Sequence, residues 1–318
     1  MAGAFSGLLA YGIEQMAGVG GLNGWRWIFI LEGIVTVLVG VTLPWTLPDS
    51  PETASFLNPE EKALIKHRLE EDSGTAAGKV GLSEGFQWKY LIGALTEWKI
   101  YLAVIIYWGN SISLYGFTYS APTIIKGLGY TSANAQLLTI PVYVLGVIST
   151  IAFSVMADKH QKKWPFIVIP YSIACIGFIG LLSVPHPKLP GLTYAFLFCI
   201  PAGVYPPLIC CLSWIGANLA PSWKRAIGMA LLISVGNLGG AIGSNIFLSN
   251  QAPDYWLGYG MGCGMVSAAI VCTMILKTVL ERINKQRDAM DEGEIRAKYT
   301  EAQLIEMGDK SPLFRYVV

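Results

Sequence analysis

Charge is what this sequence has least of. Asp, Glu, Lys and Arg make up 14% of its 318 residues and leave a formal net charge of +1, against about 25% charged residues in an ordinary soluble domain. So even a balance gives no footing to nucleic acid or to an acidic substrate. Histidine is scarce too. The three present, His67, His160 and His186, all read as loop or surface residues, so no Ser-His-Asp or Cys-His set can be assembled and no enzyme is indicated. The six cysteines, Cys175, Cys199, Cys210, Cys211, Cys263 and Cys272, lie inside apolar stretches without metal-ligand spacing. They read as small packing residues, with neither a disulfide framework nor a zinc site. No GxxxxG is followed by Lys and Ser or Thr, which removes the phosphate-cradling loop of an ATP-driven transporter. Nothing points to a cofactor.

Apolar sequence fills the chain instead. Eight long runs fall roughly at 2–19, 27–44, 99–121, 136–157, 165–183, 192–217, 227–249 and 256–280. Runs of about 18–20 such residues match the ~30 Å hydrocarbon core of a bilayer. They are continuous rather than alternating, which implies helices and not a barrel. The expected fold is an all-α polytopic membrane protein with eight transmembrane helices and the lipid bilayer as its solvent. The first run has no basic flank and carries Glu14, so it reads as a span rather than a signal peptide.

Lys and Arg mark cytoplasmic loops. Placing 46–98 inside also puts 158–164, 219–226 and the stretch after 281 inside, which gathers Lys62, Lys66, Arg68, Lys79, Lys89, Lys159, Lys162, Lys163, Lys224 and Arg225 on one side. The opposite loops hold only Arg26, Lys126 and Lys188. Both termini are therefore expected in the cytoplasm. Within 46–98, Asn58-Pro59-Glu60-Glu61 reads as an N-cap, a proline at N1 and a carboxylate at N3. A helix over Pro59–Glu71 should follow, either resting on the membrane surface or solvated.

Several strings are more specific than hydropathy. They are Gly24-Trp25-Arg26-Trp27-Ile28-Phe29-Ile30-Leu31-Glu32-Gly33, Leu47-Pro48-Asp49-Ser50-Pro51-Glu52-Thr53, Leu128-Gly129-Tyr130, Ala157-Asp158-Lys159, Lys224-Arg225-Ala226, Gly236-Asn237-Leu238-Gly239 and Phe314-Arg315-Tyr316. Together they resemble the fungal anion:cation symporter branch of the major facilitator superfamily, the allantoate, nicotinate and pantothenate permeases. That resemblance implies a twelve-helix bundle in two halves, with substrate at the midplane between them. In such proteins the long charged loop follows the sixth helix; here it follows the second. The chain then corresponds to helices 5–12, with the first four absent before Met1. Residues 1–45 would be the last two helices of the amino-terminal bundle and 46–98 the cytoplasmic loop between the halves. The six-helix carboxy-terminal bundle would be 99–281, and 282–318 a cytoplasmic tail. The implied function is proton-coupled symport of a small organic anion, a vitamin acid or ureide, across the plasma membrane by alternating access. The competing expectation is a truncated, non-transporting membrane protein or a fragment.

Ionisable groups within spans are expensive and usually functional. Glu32 stands out as a proton-coupling carboxylate, or else as a partner of Arg26 or a snorkelling acid. Polar and aromatic stripes should line the carboxyl-half cavity: Ser111, Tyr115 and Tyr119 beside Asn110 and Ser113; Cys211, Trp214 and Asn218; Ser234, Asn237, Ala241 and Asn245. An aromatic plane beside an amide donor suits an organic anion, covering its apolar body and bonding its oxygen. By the resemblance, Trp214 and Asn237 are substrate contacts, with Tyr115, Asn110 and Asn218 as further candidates; interhelical hydrogen bonding is the alternative for each. The stretch from Ala157 to Lys163 resembles the superfamily's loop motif, with Ser154 and Gln161 at two usual glycine positions. It makes Asp158 and Lys159 the expected gating pair. Small-residue spacing at Gly236, Gly239, Gly240 and Gly243, and at Gly260, Gly262 and Gly264, permits close helix approach. Prolines at 141, 170, 201, 206 and 207 imply kinked or broken spans.

Overall fold

The computed structural model describes residues 9–10, 12–73, 87–160, 162–185 and 188–318. Residues 2–8 and 11 of the first apolar run, with Lys79, Gln161 and His186, lie outside the described residues. Among the described residues, seven helices are long and apolar enough to cross a membrane. By contacts the chain falls into two compact units, residues 2–73 and the remainder from Gly74.

In the first unit α1 (Gly24–Thr46) carries the most apolar stretch of the unit, and only Gly24 in it is buried. Phe29, Val37 and Leu38 are each more than 60% exposed. A helix apolar all round is a span for lipid or for other helices. After it α2 (Pro59–Ser73) begins as its first residues dictate. The Asn58 backbone N–H donates to the Glu61 carboxylate at 2.9 Å, and Lys62 reaches back to the carbonyl of Glu52.

The second unit opens with α3 (Trp88–Leu95), a short amphipathic helix that the sequence did not announce. Tyr90 and Ala94 face inward, while Trp88 and Ile92 are exposed. Six spans follow: α4 (Trp98–Gly127), α5 (Ser132–His160), α6 (Pro165–Ser183), α7 (Pro190–Ala217), α8 (Ser222–Asn237) continued by α9 (Gly239–Gly243), and α10 (Trp256–Asp288). Two short helices, α11 (Glu292–Lys298) and α12 (Glu301–Met307), come last. The hub is α4, which packs against α10, α7, α8, α9 and α5.

Small residues let these helices close on one another. A Cβ on Gly109 of α4 would stand 2.7 Å from that of Ala269 on α10, and one on Gly236 would meet the Tyr107 ring at 2.5 Å. Of the expected trio on α10 only Gly262 lies against a neighbour, the Phe178 ring, whereas Gly260 and Gly264 face open space. The prolines act as their chemistry requires. Pro206 in α7 cannot donate to the carbonyl of Ala202 four residues earlier, and Ser149 of α5 donates to that carbonyl instead at 2.6 Å.

Candidate functional site

The expected seventh span is interrupted at one residue, Leu238, whose own backbone stays right-handed helical. α8 ends at Asn237 and the chain restarts as α9 two residues later. A helix end leaves carbonyls without partners, and α4 supplies donors: Trp108 Nε1 to the Val235 carbonyl at 2.9 Å and Ser111 Oγ to that of Gly236 at 2.8 Å. Two tyrosines two turns apart on α4 flank the interruption. The Tyr107 ring lies against Gly236, and the Tyr115 ring against Gly240. Tyr107 donates to Asn237 Oδ1 at 3.4 Å, and Tyr115 stacks on Tyr119 with centroids 6.4 Å apart. Asn237 itself is exposed. Among the described residues its Nδ2 has no hydrogen-bond partner. This face therefore offers an amide donor beside an aromatic plane, with Ser234 and Asn245 exposed on the same stripe.

Other expected site residues have their polar atoms engaged. Asn110 is 1% exposed and donates to the Val204 carbonyl of α7 at 2.6 Å, joining two helices. Trp214 is fully buried, and its Nε1 donates to the Val317 carbonyl at 2.8 Å. Asn218 bonds the same residue twice, donating from Nδ2 to its carbonyl and accepting its N–H at Oδ1. Trp214 and Asn218 of that stripe are met by a segment about a hundred residues further along the chain.

Asp158 closes α5 and takes an ion pair from Lys163 at 2.7 Å; Lys159, next to it, is exposed. In the first unit Glu32 is exposed, and among the described residues no ion pair joins it to Arg26, whose guanidinium lies 5.4 Å over the Trp25 ring.

The end of the unit that carries Lys99 and Lys224 holds a charge cluster that sequence reasoning missed. Lys224 Nζ pairs with Glu97 at 2.5 Å and Asp309 at 2.8 Å, and Lys99 pairs with Asp309 at 2.5 Å. Each of the four side chains is at most 6% exposed. Two acids against two bases leave no net charge, which such burial demands, because an uncompensated ion would cost several kcal/mol. Lys99 also donates to the Asn218 carbonyl at 3.0 Å and lies 4.4 Å over the Tyr316 ring. Arg287 of α10 donates to the carbonyls of Asp309 and Phe314. The available signals were Lys99 in the first turn of an apolar span and the string at Phe314-Arg315-Tyr316. Nearby, on the surface, Lys89 pairs with Glu306, whose carboxylate holds the amine above its usual pKa. A cavity of about 330 Å³ lies between that pair and Tyr299.

The profile of the Major Facilitator Superfamily matches residues 1–244. The chain is 34% identical over its whole length to the MFS-type transporter cnsO of Penicillium expansum, covering 62% of that protein. It is 26% identical to the major facilitator-type transporter hxnP of Emericella nidulans, across 99% of this chain and 63% of the relative. To the high-affinity nicotinic acid transporter of Saccharomyces cerevisiae it is again 26% identical, across 100% of this chain and 58% of the relative. The chain thus spans roughly three-fifths of the length of these curated relatives. A bundle of apolar spans with an interrupted helix, the profile match and these relatives lead to one assignment: the chain belongs to the major facilitator superfamily, a family of transporters and not of enzymes.

Proposed function

We propose that this chain carries most of a transporter for a small organic anion, driven by proton symport through alternating access. The observation that carries the reading is the α8–α9 junction, where Asn237, whose Nδ2 has no hydrogen-bond partner among the described residues, bonds Tyr107 and lies three residues from Gly240, against which the Tyr115 ring packs. A carboxylate ligand would accept from Asn237 Nδ2 and lay its apolar body along Tyr115; a hydrogen bond to a charged group contributes about 1.5–3 kcal/mol. The relative named as a nicotinic acid transporter supports an aromatic carboxylate as substrate. Glu32 is the carboxylate we assign to proton coupling, and Asp158 with Lys159 to the gate. Residues 1–45 supply helices of the amino-terminal half, and 99–281 form the carboxy-terminal bundle. The lysine-rich loops support the plasma-membrane orientation with both ends of the chain in the cytoplasm.

The test is uptake of radiolabelled nicotinate, pantothenate and allantoate by cells that lack their own carriers. Uptake of at least one should rise as the outside is acidified and fall at least tenfold in N237A at equal surface expression. Absence of uptake for every carboxylate, or an unaffected N237A, would overturn the reading.

A further inference from the structure

The covered stripe on α7 has a consequence for how that helix can move. Pro201, Pro206 and Pro207 stand inside α7, which runs on through them, so its two halves are joined by a backbone ladder that lacks their N–H donors. Beyond the prolines, Cys210, Cys211, Trp214 and Ile215 are all buried. The end of that half is gripped by Val317 through three hydrogen bonds, one to Trp214 and two to Asn218.

The segment that grips it is anchored elsewhere. Gly308 turns the chain with φ +57° under the Ala220 carbonyl, where a Cβ would collide with that oxygen. Asp309 then enters the charge cluster on Lys99 of α4 and Lys224 of α8. Ser311 is fully buried. Asn284 of α10 exchanges two hydrogen bonds with the backbone of Tyr316, at 2.8 and 2.9 Å. The Tyr316 hydroxyl donates to the Asp309 carbonyl, and Arg287 lies 4.7 Å over its ring. One stretch of ten residues, 308–317, therefore ties α4, α8 and α10 to the hinged half of α7.

We propose that residues 308–317 are a strap that holds the half of α7 beyond its prolines, and that this half is free to swing only when the strap lifts. The inference concerns a motion and stands apart from which substrate is carried, so its test uses no uptake. The native thiols of Cys210 and Cys211 report on the hinged half. In the full chain purified in detergent, the other four cysteines are replaced by alanine and labelling by a charged methanethiosulfonate is timed. Slow labelling is expected in this parent. Asn284→Ala, which removes two of the strap's hydrogen bonds to α10 and leaves those of Arg287 and the charge cluster in place, should speed it at least tenfold; Asn218→Ala, which removes two of the three hydrogen bonds of the grip, should do the same. If Asn218→Ala does not stay monodisperse, Asn284→Ala alone gives the answer. A separate reporter, Ser311→Cys with the six native cysteines removed, shows whether the strap has lifted. Reactive Ser311→Cys with Cys210 and Cys211 still protected would overturn the proposal, as would protection of all three in both variants.

Discussion

Two polar regions lie on the same helix, α8, about 20 Å apart by helical rise. At one end Lys224 sits in a buried cluster in which every charge is answered by an opposite one. At the other Asn237 stands exposed, with one hydrogen bond accepted and, among the described residues, its amide N–H groups unspent. The first arrangement stabilises and has nothing left with which to bind. The second contributes little to the fold and keeps its bonding capacity for something else. Burial and satisfaction together, more than residue type, separate closed from open polar groups here. Asn110, Asn218 and Asn237 have the same side chain, and only the last is open.

The comparison can be broken hardest at the cluster. Asp309→Asn leaves Lys99 and Lys224 buried with one acid between them, at a cost of about 3–5 kcal/mol. The purified protein should melt on the order of 10 °C lower by thermal shift. Adding Lys99→Met to that variant should recover part of the loss, since the two residues are in contact and their effects should not add. Next in size is Gly236→Leu. Its side chain must displace the Tyr107 ring, and overpacking of this kind costs about 1–3 kcal/mol; reduced yield of folded protein by fluorescence-detected chromatography is the readout. Trp214→Phe removes one of the two donors to Val317, so a smaller drop of about 1 kcal/mol is expected in the same melting assay. The exposed pair of Lys89 and Glu306 is the contrast case: Lys89→Ala should leave the melting temperature unchanged, because water screens such pairs.

The spans were legible because a bilayer imposes length and apolarity on a contiguous stretch, and each of the six spans from α4 to α10, with α8 and α9 as one, meets that demand locally. The helix after Asn58 was legible for a similar reason: proline at 59 and glutamate at 61 write its start into four residues. The charge cluster was not. Lys99 and Asp309 are 210 positions apart, and no periodicity links a lysine at the mouth of one span to an aspartate after a pair of short helices. Trp214 and Asn218 were found as a stripe by their spacing. Spacing says that two side chains share a face and cannot say that a distant backbone will lie on it. The interruption after Asn237 was half visible: its glycines announced close helix approach without naming the partner, and Trp108 and Ser111 of α4, which supply donors there, carry no sign of that task in their own neighbourhood.

Binding of nicotinate to the purified protein, measured by calorimetry in N237A and in Trp214→Phe, tests the division between the two regions most directly. Affinity should fall at least tenfold in N237A with melting unchanged, and should hold within a factor of about three in Trp214→Phe while melting falls. Binding lost in Trp214→Phe and kept in N237A would contradict it.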